Sequence, residues 1–189
     1  MDVRFKSDKL RFSRISKQVK GKEILDIGST EGFVHQLLQK AHPDKKFYTL
    51  DASGKADFKV DLDNPGRISK KFDTIIAGEV IEHLASPLKF VSYCASLLKK
   101  GGRLIITTPN ATGLQYLLDP SWCVYYKDYR GHTQTFTIEM LRRMCQDSRL
   151  QVTHTEYINA FWITNPLQYL SFFIRRLRPD LLIVAELDK

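Results

Sequence analysis

Cysteine is scarce in this chain. Its 189 residues hold three, Cys94, Cys123 and Cys145, an odd number without the close spacing of a zinc site. Neither a disulfide framework nor a cysteine metal centre is expected, and a reducing cytosol is the expected setting. Ten glycines and seven prolines are too few for a collagenous or low-complexity chain. Apolar runs fall short of the ~18 residues of a transmembrane helix. The opening stretch MDVRFKSDKLRF lacks the apolar segment of a secretory signal. Internal repeats and linker-like stretches are missing as well. What remains is a globular composition, 43% hydrophobic and 26% charged, at a length that one core serves.

Acidic residues are also in short supply, 21 against 29 basic, for a net charge of +8. The excess is local. Residues 1–22 carry Arg4, Lys6, Lys9, Arg11, Arg14, Lys17, Lys20 and Lys22 against Asp2 and Asp8, so the rest of the chain is nearly neutral. Leu10, Ile15 and Val19 recur among them at helical spacing, which predicts a basic N-terminal helix with a solvated face. A patch for nucleic acid, anionic lipid or an acidic substrate is the alternative. A second basic knot, Arg175, Arg176 and Arg178, lies near the end of the chain.

Between these knots, β-branched runs alternate with helical patterns. Strands are expected at 23–27, 46–50, 57–62, 72–77, 103–107, 150–157 and 181–187. A helix follows the first strand, with Phe33, Val34, Leu37, Leu38 and Ala41 as its apolar stripe. Another carries Leu88, Val91, Ala95 and Leu98 and is expected to stop at Lys99-Lys100-Gly101-Gly102, where lysines suit the helix dipole and glycine the left-handed turn. A third runs over 137–146. Asn165-Pro166 reads as a helix start, with Pro179 just past that helix's end. Continuous apolar strands alternating with helices predict an α/β fold with a doubly wound, mostly parallel sheet and helices on both faces. Ligands of such sheets bind outside the carboxyl ends of the strands.

The residues at those ends fit a nucleoside cofactor. Asp26-Ile27-Gly28-Ser29-Thr30-Glu31-Gly32 follows the first strand, its glycines allowing close backbone approach at a helix start. A phosphate loop would need Gly-Lys-Ser/Thr, but Phe33 follows Gly32; dinucleotide binding would need glycine where Thr30 stands. Asp51, beside Ala52, ends the second strand where a carboxylate accepts ribose hydroxyls. Asp61 and Leu62 end the third, where an adenine edge can be met. Ribose and adenine without pyrophosphate point to S-adenosylmethionine.

ILDIGSTEG, TLDAS, VDLDN, FDTIIAGEVIEHL and LLKKGGRLIITTPN, in this order, resemble the class I S-adenosylmethionine-dependent methyltransferases, and most of all the branch of ubiquinone-biosynthesis O-methyltransferases. The resemblance covers roughly residues 20–145 and implies a Rossmann-like sheet of seven strands with the last antiparallel. It implies one methyltransferase domain over 1–189, with 1–22 as a cap and 109–136 and 158–179 as acceptor-side segments. It places Asp26, Gly28, Ser29, Gly32, Phe33, Asp51, Ala52, Asp61, Leu62, Gly78 and Glu79 around S-adenosylmethionine, with S-adenosylhomocysteine as product. Thr30 departs from the glycine usual there, so its side chain must point away from the cofactor.

On the acceptor side, Glu79, Glu82 and His83 share one face if helical, and His132 follows in a later loop. His132, His83 and Glu82 are the candidates for removing an acceptor proton or orienting the acceptor. Glu79, Glu82, His83 and His132 also match the divalent-metal ligands of some relatives, including the small-RNA 2′-O-methyltransferases, although E-H-L occurs in metal-free relatives too. The loop with Tyr116, Trp122, Tyr125, Tyr126 and Tyr129 is expected above the methyl donor or packed on itself. Residues 161–177 are expected to pack against the sheet, with a lid, a dimer helix or an interfacial membrane helix as alternatives. The reading is O-methylation of a small-molecule or lipid-like acceptor. The alternatives are an RNA 2′-O-methyltransferase with a metal, a non-catalytic cofactor-binding subunit and a nicotinamide oxidoreductase.

Overall fold

The computed structural model describes residues 3–28, 32–52, 54–118, 132–158 and 169–188, with only the backbone at 3–7, 115 and 117. Seven strands form one sheet: β1 (Glu23–Ile27), β2 (Lys46–Asp51), β3 (Phe58–Lys59), β4 (Phe72–Gly78), β5 (Leu98–Pro109), β6 (Leu150–Ile158) and β7 (Asp180–Leu187). Their order is β3-β2-β1-β4-β5-β7-β6. The first five pair in parallel. β7 runs antiparallel between β5 and β6. The expected mostly parallel, doubly wound sheet is the one observed.

Period-two alternation splits the core into two layers. Leu25, Ile27, Ile75, Ala77, Leu104, Ile106, Leu181 and Ile183 point to one face, where α3 (Pro87–Leu97) and α5 (Ile138–Asp147) cover them with Phe90, Val91, Cys94, Leu141 and Cys145. Ile24, Ile76, Ile105, Leu182 and Val184 point to the other, under Ile15 of α1 (Val3–Ser16) and Leu38 of α2 (Phe33–Ala41). The basic N-terminus is therefore a helix docked on the sheet, and Leu10 and Phe12 pack on that layer beside Ile15. Burial pushes the Cys94 and Cys145 thiols up, Cys145 to about 12, so both are inert core residues. Cys123 lies outside the described residues.

Four expectations are corrected. The helix expected to end at Lys99–Gly102 is α3, and it ends at Leu97, because Leu98 pairs with Phe72 at the start of β5. Gly101, at φ +67°, and Gly102 then serve a bulge inside the strand, and Lys99 bonds Asp73 instead of capping the helix. Leu88, expected in α3's buried stripe, is 45% exposed. The third strand shrinks to Phe58–Lys59, because the flanking acids spend their carboxylates elsewhere: Asp57 Oδ2 accepts from Thr49 N on β2, and Asp61 Oδ1 accepts from Asp63 N in a local turn. In α2, Ala41 is exposed and His35 takes the buried place beside Leu38. The third helix forms nearly as expected, with the Thr137 side chain accepting from Met140 N at its start.

Asn165-Pro166 lies outside the described residues. What is described before Pro179 is a short helix α6 (Leu170–Phe173) and a 3₁₀ turn (Arg175–Leu177), and Tyr169, Leu170, Phe172, Phe173 and Ile174 are exposed. This part of 161–177 does not pack against the sheet as expected.

Candidate functional site

The carboxyl ends of β1, β2 and β4 meet at one edge of the sheet. Gly28 follows β1 at φ +75°, its N–H donating to Leu50 O, and a Cβ on it would stand 2.6 Å from Val80 Cγ2. Glycine is needed there for conformation and for space. Asp26, buried at 4% exposure, accepts a hydrogen bond from His35 Nδ1 at 2.8 Å, which ties β1 to the start of α2. Gly32 caps α2 in extended conformation and Phe33 is half-buried. Asp51 ends β2 half-buried, with Ala52 exposed beside it. Asp61 lies in the turn after β3, Leu62 packs on the core, and Asp63 Oδ1 accepts from Ala85 N, drawing this turn to the loop after β4. Ser29 and Thr30 lie outside the described residues.

After β4 the chain turns sharply. Gly78 ends the strand, and Glu79 takes φ +58°, a left-handed conformation uncommon for a residue with a side chain. Its N–H donates to Thr107 O at 2.9 Å. Glu79, Glu82 and His83 therefore do not share one helical face. Glu82 and His83 sit in a single 3₁₀ turn (Ile81–His83), while the Glu79 carboxylate faces Arg11 of α1, 3.7 Å from its Nη2. Arg11 also stands 3.6 Å from Asp8, and its buried Nε has no hydrogen-bond partner.

Glu82 is fully buried. Its Oε2 accepts from Thr108 Oγ1 at 2.9 Å, and its Oε1 has no hydrogen-bond partner. Its carbonyl oxygen accepts from the backbone N and Oγ1 of Thr133, Gln134 Nε2 donates to Leu84 O, and Phe136 bridges Asn110. These bonds bring His132 over the turn. The His83 and His132 rings lie 4.9 Å apart at 69°, and His83 Nε2 stands 4.0 Å from Glu82 Oε1. One ligand atom from each of Glu82, His83 and His132 lies within 4.8 Å of the others. Glu79 stands outside this trio.

The electrostatics follow from burial. It pushes the Glu82 carboxyl well above the ordinary range, with the charge of Glu79 adding to it. It pushes His132 down, with His83 adding, so the imidazole is neutral at pH 7. Asp180, at the start of β7, is pushed up to about 7 by burial and then by Glu79, against the opposing pull of Arg11.

Sequence reasoning missed two residues here, Arg11 and His35. Arg11 was one of eight basic residues, and the signal was its place between Leu10 and Phe12 on the buried side of α1. His35 lay inside an apolar stripe, nine residues after the carboxylate it meets. Of the aromatic loop, Tyr116 belongs to α4 (Leu114–Leu118), while Trp122, Tyr125, Tyr126 and Tyr129 lie outside the described residues. Among the described residues no helix is long and apolar enough to cross a membrane.

A family model described as a methyltransferase domain matches residues 3–155. The ubiquinone biosynthesis O-methyltransferase of Xylella fastidiosa strain M23 is 31% identical over an alignment of 126 residues, covering 58% of this chain and 51% of that protein. The chain spans about half the length of such curated relatives. Among solved structures, a chain from the complex between the Haloferax volcanii Trm112 methyltransferase activator and a methyltransferase matches with a TM-score of 0.71 at 16% identity, over 97% of this chain and 90% of that one. An S-adenosylmethionine-dependent methyltransferase from Mesorhizobium loti matches with a TM-score of 0.66 at 14% identity, over 98% of this chain and 100% of that one. The structural likenesses speak to the fold, and the family model speaks to descent: the chain belongs to the methyltransferase-domain family.

Proposed function

We propose that the chain acts as one methyltransferase domain over residues 1–189 and carries a methyl group from S-adenosylmethionine to a hydroxyl of a small-molecule or lipid-like acceptor. The convergence of Glu82, His83 and His132 at the mouth after β4 carries this reading, because transfer to oxygen requires a group that takes the hydroxyl proton. The curated relatives, named as O-methyltransferases, support oxygen as the target.

The residues present fit the cofactor. Its sulfonium supplies an electrophilic methyl group. Asp51 accepts the ribose hydroxyls. Gly28 and the turn through Ser29 and Gly32 give backbone access, and Asp26 steadies that turn through His35. Ala52, Asp61 and Leu62 border the adenine, while Phe33, Gly78 and Glu79 border the methionine end. The orphaned Nε–H of Arg11 is the donor left over for the α-carboxylate, a charge-assisted bond that its present partners at 3.6 and 3.7 Å do not make. His132, neutral at pH 7, takes the acceptor proton; Glu82 and His83 orient it and the hydroxyl. In this reading segments 109–136 and 158–179 are the acceptor-side segments.

One observation favours a second reading of the same trio. A buried carboxylate oxygen without a partner, facing two imidazoles, suits a divalent cation. Glu82, His83 and His132 would hold it, and it would lower the pKa of the acceptor hydroxyl.

Titration with S-adenosylhomocysteine and with NAD tests the cofactor: tight binding of the first and none of the second is expected, and the reverse would overturn the reading. Turnover is measured with labelled S-adenosylmethionine on phenols, quinols and short RNAs. Methylation of RNA alone would replace the proposed acceptor class. Loss of turnover on chelation, restored by Mg²⁺ or Mn²⁺, selects the cation over His132 acting as the base.

A further inference from the structure

We propose that Tyr169–Arg176 is an interfacial patch that docks the protein onto an anionic lipid bilayer, with the mouth of the site facing the membrane. The proposal rests on exposure, charge and anchoring, and it stands whether or not the acceptor is a hydroxyl.

Five of the first six residues of this segment are large and apolar, and all five lie in solvent. Phe173 is 85% exposed, Tyr169 57%, and Leu170, Phe172 and Ile174 45–49%. The rings of Tyr169 and Phe172 stack at 6.1 Å, so they form one surface. The sixth residue, Ser171, is the one turned inward, at 5% exposure. The local fold thus buries the serine and presents the aromatics, an inversion of the usual preference that marks an interaction surface.

The segment is also firmly held. Asn110 Nδ2 donates to the carbonyls of Arg176 and Arg178 at 2.8 and 2.6 Å, and Thr112 Oγ1 donates to Arg176 O at 2.8 Å. The Arg178 guanidinium turns inward to the carbonyls of Ser171 and Tyr157. Arg175 and Arg176 are exposed beside the aromatics. Asn110 comes two residues after Thr108, whose hydroxyl holds Glu82, so the patch and the candidate site share one strand end.

Charge decides the occupant. Aromatic rings at headgroup depth with guanidinium groups among phosphates match an anionic bilayer surface. A second copy meeting this patch about a two-fold axis would bring like-charged arginines together. The chain's net charge of +8, concentrated at its N-terminus, adds long-range attraction to the same partner.

Co-sedimentation of the full chain with vesicles tests this, using phosphatidylcholine alone and phosphatidylcholine mixed with phosphatidylglycerol. Binding to the mixed vesicles, little to the neutral ones, and weakening with salt are expected. Phe173→Glu is expected to abolish binding while S-adenosylhomocysteine affinity and melting temperature stay as in the parent. Phe172→Ser provides a second variant with the same expectation. Arg175→Ala and Arg176→Ala are each expected to lower partitioning about fivefold. No binding to mixed vesicles at low salt overturns the proposal. Undiminished binding of Phe173→Glu also overturns it, assigning the contact to the basic N-terminus. A dimer in light scattering that Phe173→Glu dissociates, without vesicle binding, assigns the patch to a second copy.

Discussion

The two ends of the sheet hold similar carboxylates in opposite states. At the amino ends, Asp73 Oδ2 accepts from the backbone N–H groups of Lys22 and Glu23 at 3.0 and 2.8 Å and from Lys99 Nζ at 3.0 Å. Glu186 Oε1 accepts from Arg103 Nε and Nη2 and lies 2.8 Å from Lys20 Nζ. Burial works to raise both acids, yet hydrogen bonds and neighbouring cations hold them below the ordinary range. At the carboxyl ends, Glu82 and Asp180 are pushed up by burial and by Glu79, and the Oε1 atoms of Glu79 and Glu82 and the Nε of Arg11 lack hydrogen-bond partners. At the amino ends Asp73 and Glu186 are matched to donors. At the carboxyl ends those three atoms stay unmatched, which costs stability.

The sharpest way to break this comparison is Glu82→Gln. Turnover is expected to fall at least ~100-fold, measured with labelled cofactor, while the melting temperature holds or rises because a buried acid is replaced by a neutral isostere. A large loss of stability would make Glu82 a folding residue and erase the contrast. Next comes His132→Ala, for which turnover is expected to drop ~100-fold with S-adenosylhomocysteine affinity within a few-fold. Lost cofactor affinity would instead show that His132 supports the cofactor cleft. Asp73→Ala is the counterpart at the other end. It leaves three donors without their acceptor and is expected to cost about 1–3 kcal/mol in denaturant unfolding, with cofactor affinity unchanged.

The smallest effect concerns pH. Folded Asp180 gives up its proton near pH 7 and an ordinary aspartate near 3.8. Between these values the unfolded chain binds fewer protons, so stability from this group is complete below the lower value and is lost as pH rises through the upper one. Asp73 and Glu186, both lowered, act in the other direction and lose their contribution only as pH falls through their depressed values. Asp180→Asn is therefore expected to melt a few degrees above the parent at pH 8, with the gap narrowing toward pH 4. A gap independent of pH would show that Asp180 is not the group responsible.

Most of the sheet was legible because its central strands are continuous apolar, β-branched runs, and the acids and glycines after β1, β2 and β4 mark the strand ends, whereas two-residue β3 carries too short a run to be bounded. The stop of α3 was misread for a physical reason. Lys-Lys-Gly-Gly is a good helix terminus on local chemistry, but Leu98 is claimed by Phe72, a pairing that no local signal shows. The trio of Glu82, His83 and His132 was legible as a set of residue types, while its assembly depends on the backbone bonds of Thr133 and Gln134 to the turn after β4. Arg11 was hidden by company, since seven other basic residues share its stretch. Its place between Leu10 and Phe12, on the side of α1 that meets the sheet, separates it from them.

One methyl group stands between the two turns of the candidate site. Val80 follows the left-handed Glu79, and its Cγ2 occupies the space that a side chain on Gly28 would need. The two halves of the site thus meet at a contact between a glycine and a valine, without a hinge or linker. That contact joins the turn after β1 to the turn after β4 at short range, so sequence change in the loops farther out leaves it untouched. Sequence drift is expected in the loops after β5, while Gly28 is expected to stay glycine even where Val80 becomes smaller, because the φ of +75° at Gly28 is strained for any side chain.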